Sequence, residues 1–371
     1  MSVKKKLGNF YFNWRSVKTN ARILVIESDD WGSLRTESLA QRDLLDSIGT
    51  DVQKNRYVQL DGLANEDDLS ALFETLSTVK NNQGNSPVLT ANVCTANPDF
   101  DKIQAEGYEN FHFEPFFKTI HRKDKGKAVL KLWEEGRAKS LFHPQLHGRE
   151  HLHALGWLAE LRNGNKDLLK AFELETWGIP YKAIIQQRRE NLQAALDLYH
   201  LPNEEEFQAE WLKDSAKIFE DFFGYKSRSF IPPAYVWHSR INQTLQEIGV
   251  ESLQGIKLQY QPKKKGYKRK MRYMGEKDHK HQIRYFPRNV FFEPSLLPNK
   301  DWHSETLSGI EKAFANKQPA IIGSHRINFI GKLEESNRTR NLKTLKAILN
   351  EVVKKYPDVQ FVSSDRLLEF I

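Results

Sequence analysis

This sequence predicts an α/β fold, and three observations predict it. Short apolar runs closed by polar, Gly or Pro residues alternate with helical periodicities along nearly the whole chain, the pattern of parallel strands joined by helical crossovers. No Gly/Ser-rich or Pro-rich linker and no internal repeat divides the 371 residues, so one elaborated domain over 1–371 is expected rather than two. With 39% hydrophobic residues, 22 Phe, 12 Tyr and eight Trp, the chain can bury a sizeable core and is not of disordered composition.

In chain order, strands are expected at 22–26, 88–93, 141–146, 229–231, 283–286, 319–323 and 360–362, where apolar residues run unbroken between turn formers. Helices are expected where apolar residues recur at three- and four-residue steps: 66–79, 127–139, 151–161, 168–174, 181–199, 204–223, 241–248, 304–315 and 338–355. Leu69, Leu72, Phe73 and Leu76 make one such face, and Asn65 or Asp67 is placed to cap it. Residues at about 152–225 read as almost wholly helical, an insertion or lid on the core. The tract at about 261–282, Q-P-K-K-K-G-Y-K-R-K-M-R-Y-M-G-E-K-D-H-K-H-Q, reads as an exposed basic loop or hairpin.

Composition narrows the chemistry. The single cysteine, Cys94, excludes an internal disulfide and a cysteine-based metal site, so a metal would have to be held by histidines and carboxylates. The N-terminus lacks the apolar stretch of a secretory signal, and no window approaches the ~20 apolar residues of a spanning helix. A cytoplasmic protein without a membrane span is the expectation. The net charge is +8, but ten Lys or Arg against two acids fall between Lys263 and Arg284, and the rest of the chain balances. One local tract is a thin basis for nucleic-acid binding.

Four stretches carry candidate chemistry. In L-V-I-E-S-D-D-W-G-S, a buried strand ends in the adjacent carboxylates Asp29 and Asp30. Functional groups collect at the carboxyl ends of strands in parallel folds. A cap or turn needs only one such residue, and two adjacent carboxylates repel unless a cation binds one. In F-H-P-Q-L-H-G-R-E-H-L-H-A, His143, His147 and His151 stand four residues apart, with His153 just beyond. A helical turn starting near Gly148 would bring His147 and His151 to one cation. Pro144 disturbs the pair His143/His147, and Glu150 is placed to support a histidine. A division of labour follows. Asp30, His147 and His151 ligate one divalent ion, Zn²⁺ being the choice for such a set. Asp29 stays free as a general base toward a water acidified by the metal. Both aspartates can face one site only if the strand ends or bulges there. In P-A-I-I-G-S-H-R-I-N-F, His325 closes a late strand and suits a general acid. In R-S-F-I-P-P-A-Y-V-W-H-S-R, Pro233, Tyr235 and Trp237 either form an aromatic wall for a sugar or are a core loop. Trp31 either shapes the mouth of the pocket or packs beneath it, and Arg288 of Y-F-P-R-N is a further substrate-binding candidate.

These pieces, in this order, resemble the polysaccharide deacetylase family, the NodB-homology carbohydrate esterases. E-S-D-D-W-G looks like its T-F-D-D-G motif with Trp31 inserted, H-G-R-E-H like H-(S/T/G)-x-x-H, F-I-P-P-A-Y like R-x-P-P-Y, and I-I-G-S-H like its late L-H. The resemblance spans residues 22 to 326. It implies a distorted (β/α) barrel and metal-dependent removal of an N- or O-acetyl group from a sugar or polysaccharide precursor. It implies the same roles for Asp29, Asp30, His147, His151 and His325. Ile231 stands where the family has arginine, and Arg228 or Arg288 is the replacement to look for.

Two other function classes fit parts of the pattern. Two histidines and one carboxylate also suit a non-haem iron oxygenase, usually built on antiparallel sheets. The basic tract alone would suit a non-enzymatic binder of anionic polymers, or could steer an anionic sugar toward the site.

Overall fold

A computed structural model describes residues 11–48, 52–179, 182–183 and 192–371. Its strands are β1 (Ile23–Trp31), β2 (Leu89–Val93), β3 (Ala96–Pro98), β4 (Phe113–Pro115), β5 (Phe142–Leu146), β6 (Ser229–Phe230), β7 (Ser252–Gly255), β8 (Leu258–Pro262), β9 (Tyr267–Met271), β10 (Glu276–Asp278), β11 (Ile283–Pro287), β12 (Val290–Phe291), β13 (Ala320–His325) and β14 (Gln360–Phe361). Ten of them form one sheet in the order β10-β11-β7-β6-β5-β2-β1-β13-β12, with β14 also on β1. Every ladder in it is parallel except β10–β11. The α/β class read from the alternation is therefore the observed one. The antiparallel scaffold expected of an iron oxygenase is not what the main sheet offers.

The sheet curls until its ends meet in sequence. β11 and β12 lie at opposite ends of the parallel run yet are separated only by Arg288 and Asn289. Arg288 N donates to Gly255 O on β7 (2.7 Å), and Asn289 N to Ile321 O on β13 (3.3 Å). Among the described residues no ladder closes this last gap.

Alternation along β1 sorts its side chains. Ile23 and Val25 pack with Ile321, Phe286 and Val362 on the concave face, whereas Leu24 and Ile26 join the larger core under the helices. That outer layer is held by amphipathic helices such as Glu66–Ser77, whose Leu69, Leu72, Phe73 and Leu76 are buried. Asn65 caps it in a reciprocal box with Asp68. A second core gathers Leu152, Trp157, Leu161, Leu168, Phe172 and Trp177 with Leu45, Val58 and Ile103. It is built largely from the segment read as an insertion.

Several boundaries differ from expectation. β1 runs on through Trp31, because backbone pairing with β2 and β13 continues past the apolar run. The helix expected from residue 151 begins at Ala154, with His153 as its cap. The helix expected at 181–199 lies partly outside the described residues, and 192–199 forms turns. The first half of the basic tract completes the antiparallel hairpin β8–β9, whereas Arg272, Tyr273 and Met274 are buried and Glu276–Asp278 is β10 at the edge of the main sheet, a correction to the exposed loop expected. β7 went unpredicted because Ser252 and Gln254 are polar. They are buried at 0% and 2% exposure, and Gln254 bonds Asn92 and Ser229.

Candidate active site

The site forms at the carboxyl ends of β1, β2 and β13, where a bulge solves the problem of two adjacent aspartates. Pairing of β1 with β2 shifts register between Ser28 and Trp31, and Asp30 adopts φ +72°, a conformation rare outside glycine and asparagine-like residues. The extra residue lets Asp29 and Asp30 both face inward. Trp31 then returns to the outer layer. There it packs edge-on to Phe142 (4.9 Å) and Trp133 (6.2 Å) and donates Nε1–H to Ser28 Oγ (2.9 Å). Of the two places open to Trp31, the packing beneath the pocket is the one found, and its place among the substrate-binding candidates is corrected. Trp237 is corrected in the same way: it is 2% exposed within the same outer core. Pro233 is buried in the turn that follows β6. Of that stretch, the Tyr235 side chain reaches the site, its hydroxyl accepting from Arg288 Nη1 (3.2 Å).

Asp29 is held from three sides. Arg288 grips it with two bonds, Nη1 to Oδ2 (2.7 Å) and Nη2 to Oδ1 (2.6 Å), and Asn92 Nδ2 donates to Oδ1 (2.7 Å). The Nε–H of Arg288 goes to Glu27 Oε2 (2.6 Å), two residues back on the same face of β1. Burial alone would raise the Asp29 carboxyl, but Arg288 more than offsets it and holds the group at about 2. Arg288 was expected to touch substrate, yet its side chain is 0% exposed and fully occupied with carboxylates. Its place is behind Asp29, where the missing arginine of the Pro-Pro stretch was sought. Arg228 lies at the surface on Glu251.

Asp30 faces the histidines. His147 Nε2 stands 3.4 Å and His151 Nε2 3.7 Å from Asp30 Oδ1. They converge through an irregular segment, not the helical turn expected. Gly148 at φ +98° permits the path, and Trp211 fills the space a β-carbon would need there. His147 Nδ1 lies 2.8 Å from the carbonyl of Ile231. A carbonyl only accepts, so Nδ1 carries a proton, and in the neutral ring that a metal requires Nε2 presents a lone pair. A lone pair and a carboxylate oxygen thus confront each other, and both atoms lack a hydrogen-bond partner among the described residues. That confrontation is unfavourable until a cation sits between them. Two ligands about 2.1 Å from a tetrahedral ion stand about 3.4 Å apart, so His147 and Asp30 fit a divalent metal. Among the described residues, however, the three whose donor atoms lie within 4.8 Å of one another are Asp30, His147 and Cys94, without His151. Burial lowers His151 to about 3, which keeps it neutral and able to ligate.

The far oxygen of Asp30 is 3.4 Å from Arg35 Nη2. Burial would raise this carboxyl, but Arg35 and the histidines hold it well below the usual range. Arg35 lies between the rings of Tyr57 and Trp177, 4.9 Å from each, and its Nε is 3.1 Å from Asp61. One exclusion drawn from the sequence needs correction. Cys94, just past β2, offers sulfur within 4.8 Å of ligand atoms from Asp30 and His147. A lone cysteine cannot make a cysteine-based site, but it can supply one donor. Burial pushes its thiol well up, so it would lose its proton only to a cation.

His325 completes the ring. Its Nε2 is 3.8 Å from Asp29 Oδ2, and its Nδ1 is 2.6 Å from Glu293 Oε1. Burial would lower this histidine, but Glu293 and the two aspartates raise it to about 9. It is therefore protonated at neutral pH. Glu293, Asn92 and Arg35 carry no motif and went unread. His143 turns away to Asp365 (3.2 Å). Glu150 bonds Arg149 and Trp211 Nε1 rather than a histidine.

No protein-family model matches the chain, and no curated protein matches it. Solved structures do. Two are described as putative enzymes. One is a glycoside hydrolase/deacetylase from Parabacteroides distasonis (TM-score 0.51, 8% identity, 96% of this chain on 72% of that one). The other is a polysaccharide deacetylase from Mycobacterium smegmatis (TM-score 0.41, 10% identity, 94% of each chain). A third is the 4-alpha-glucanotransferase from Thermococcus litoralis (TM-score 0.47, 9% identity). This chain spans 41% of the glucanotransferase's length. Of the three, the Parabacteroides likeness is close enough to carry an argument, and at 8% identity the argument concerns fold alone.

Proposed function

We propose that the chain is a metal-dependent hydrolase that removes an N- or O-linked acetyl group from a sugar or polysaccharide precursor. Its curled sheet is read as a distorted barrel open between β11 and β12, and the chain as one catalytic unit carrying the 152–225 insertion. The observation that carries the reading is the confrontation of His147 Nε2 with Asp30 Oδ1 at 3.4 Å, with His151 behind, beside a second aspartate clamped by Arg288.

Asp30, His147 and His151 would hold the ion, with Cys94 within reach as a further donor. Bound there, a divalent ion such as Zn²⁺ supplies a Lewis acid and an acidified water. The chain's own residues do the rest. Asp29, ionised and immobilised by Arg288, accepts the proton of the attacking water on Oδ2, which faces His325. His325, protonated through its bond to Glu293, delivers a proton to the departing amine or alkoxide. Tyr235 closes the side of the site next to Arg288.

The test combines metal analysis with acetate release from a panel of acetylated saccharides. Purified protein should carry about one divalent ion per chain, and Asp30→Ala or His147→Ala should lose both the ion and turnover. A metal-free wild-type protein that still releases acetate would sink the reading. The pH profile is a separate check. Because His325 acts protonated and lies raised at about 9, activity should hold through neutrality and fall as pH passes that value. Glu293→Gln removes the group that raises it, so the alkaline limb should move to lower pH by about one unit or more. An unmoved limb would free His325 from the acid role.

A further inference from the structure

The hairpin β8–β9 has no part in that chemistry, and its surroundings suggest another role. All five residues of β9, Tyr267 to Met271, are exposed, and with the turn before it the strand presents Lys264, Lys265, Lys268, Arg269 and Lys270 to solvent. Lys270 also lines a cleft of about 610 Å³ with Arg240, Lys277 and Lys280, which Glu276 and Asp278 share. At the hairpin's base sits the short helical segment of residues 11–15. Phe12, 3% exposed, anchors it by stacking on Tyr273 (5.8 Å) under Lys257 Nζ (4.1 Å). Arg15 lies 4.5 Å over the same Tyr273 ring, two residues beyond the end of β9.

Anchoring through Phe12 leaves the segment's other large rings in water. Trp14 is 70% exposed and Tyr11 49%, their rings 6.0 Å apart. Met271, at the end of β9, is 42% exposed. An exposed Trp–Tyr pair and a methionine thus adjoin the one basic tract of an otherwise charge-balanced chain.

We propose that this face docks the protein on an anionic membrane surface. Tryptophan and tyrosine sit at the headgroup level of bilayers, where ring and polar edge are both satisfied. Lysine and arginine gain from the negative surface potential of anionic lipids. Cations alone would serve a nucleic acid equally well, but that partner asks for a basic face and gives three exposed apolar side chains no apolar phase to enter. The attachment proposed is a peripheral one; among the described residues no helix is long and apolar enough to cross a membrane. The hairpin follows β7, whose terminal Gly255 carbonyl accepts from Arg288 N.

The experiment is sedimentation of the full chain with vesicles of phosphatidylcholine alone and of phosphatidylcholine mixed with phosphatidylglycerol. It involves no turnover, so its outcome is independent of the catalytic reading. The protein should sediment with the anionic vesicles at low salt, remain in solution with the neutral ones, and be released as salt shortens the Debye length below about 10 Å. Lys268→Ala/Arg269→Ala should weaken binding by roughly tenfold or more, and Trp14→Ala by several-fold. These are exposed side chains, so the melting transition should not move. No sedimentation of the wild type with anionic vesicles at low salt overturns the proposal. So does equal sedimentation with neutral vesicles, undiminished binding by the variants, or retention by an RNA homopolymer in the absence of vesicle binding.

Discussion

Asp29→Asn is expected to lower kcat for acetate release by a factor of roughly 10²–10⁴ while leaving the bound divalent ion in place. The two aspartates are neighbours in sequence but face different partners. Asp30 Oδ1 looks at His147 and His151, whereas both oxygens of Asp29 are engaged by Arg288. Asparagine keeps the shape and one acceptor, so Asn92 and Arg288 Nη2 retain a partner. The new amide faces Arg288 Nη1 donor to donor, at a cost of about 1–3 kcal/mol for a buried group left unpaired. Metal content and the melting temperature therefore separate a lost base from a lost fold. A variant that binds metal, stays folded and turns over at the wild-type rate would remove Asp29 from the base role.

Arg288→Leu should be the most damaging single change to stability. Arg288 is completely buried and is the shared counter-ion of Glu27 and Asp29, with bonds of 2.6 to 2.7 Å to both. Removing one partner of a buried ion pair costs about 3–5 kcal/mol because the other charge is left uncompensated, and here two carboxylates are stranded. The loss should depend on pH. In the wild type Asp29 sits at about 2, below its unfolded value, so it contributes stability above that unfolded value and loses it as pH falls through about 2. In the variant both carboxyls lie above their unfolded values and must be buried neutral. The gap between variant and wild type should thus be widest at neutral pH and narrow toward pH ~4, as read from chemical denaturation at several pH values. A constant gap would mean that Arg288 acts through packing and not through charge. Activity should fall with it, since Asp29 loses the clamp that orients it.

Much of the fold was legible because it is written in local periodicity. The face of Leu69, Leu72, Phe73 and Leu76 and the cap at Asn65 need only their own helix, and the apolar runs of β1, β2 and β13 need only burial. The strands that went unread are those whose inward side chains are polar. β7 carries Gln254 into a chain of bonds through Asn92 to Asp29, and no periodicity announces a strand that lines a polar interior. The edge strands β10 and β12 are two or three residues long, too short for a pattern.

The site divides along the same line. The residues that bear a motif, Asp29, Asp30, His147, His151 and His325, were named from spacing and strand ends. The structure places His147 and His151 3.4 and 3.7 Å from Asp30, and His325 3.8 Å from Asp29. Of their supporting groups only Arg288 was named, as one of two arginines, and its grip on Asp29 was not readable. Arg288 reaches Asp29 across 259 positions and Glu293 reaches His325 across 32, separations that carry no pattern. Trp31 shows the limit most plainly. By sequence it adjoined the carboxylates and looked like part of the pocket, but the bulge at Asp30 sends it to the opposite face.

By itself, then, the sequence determined the α/β alternation, the helices with a clean apolar face, and the pair of aspartates with distant histidines, because hydrophobic period and residue chemistry are local properties. Which side of the sheet each residue faces, which arginine clamps the base, and that Cys94 stands beside Asp30 and His147 were decided by tertiary structure alone. The reason is physical: a one-residue bulge reverses every side chain after it, and charge pairing acts through space between residues whose separation along the chain carries no information.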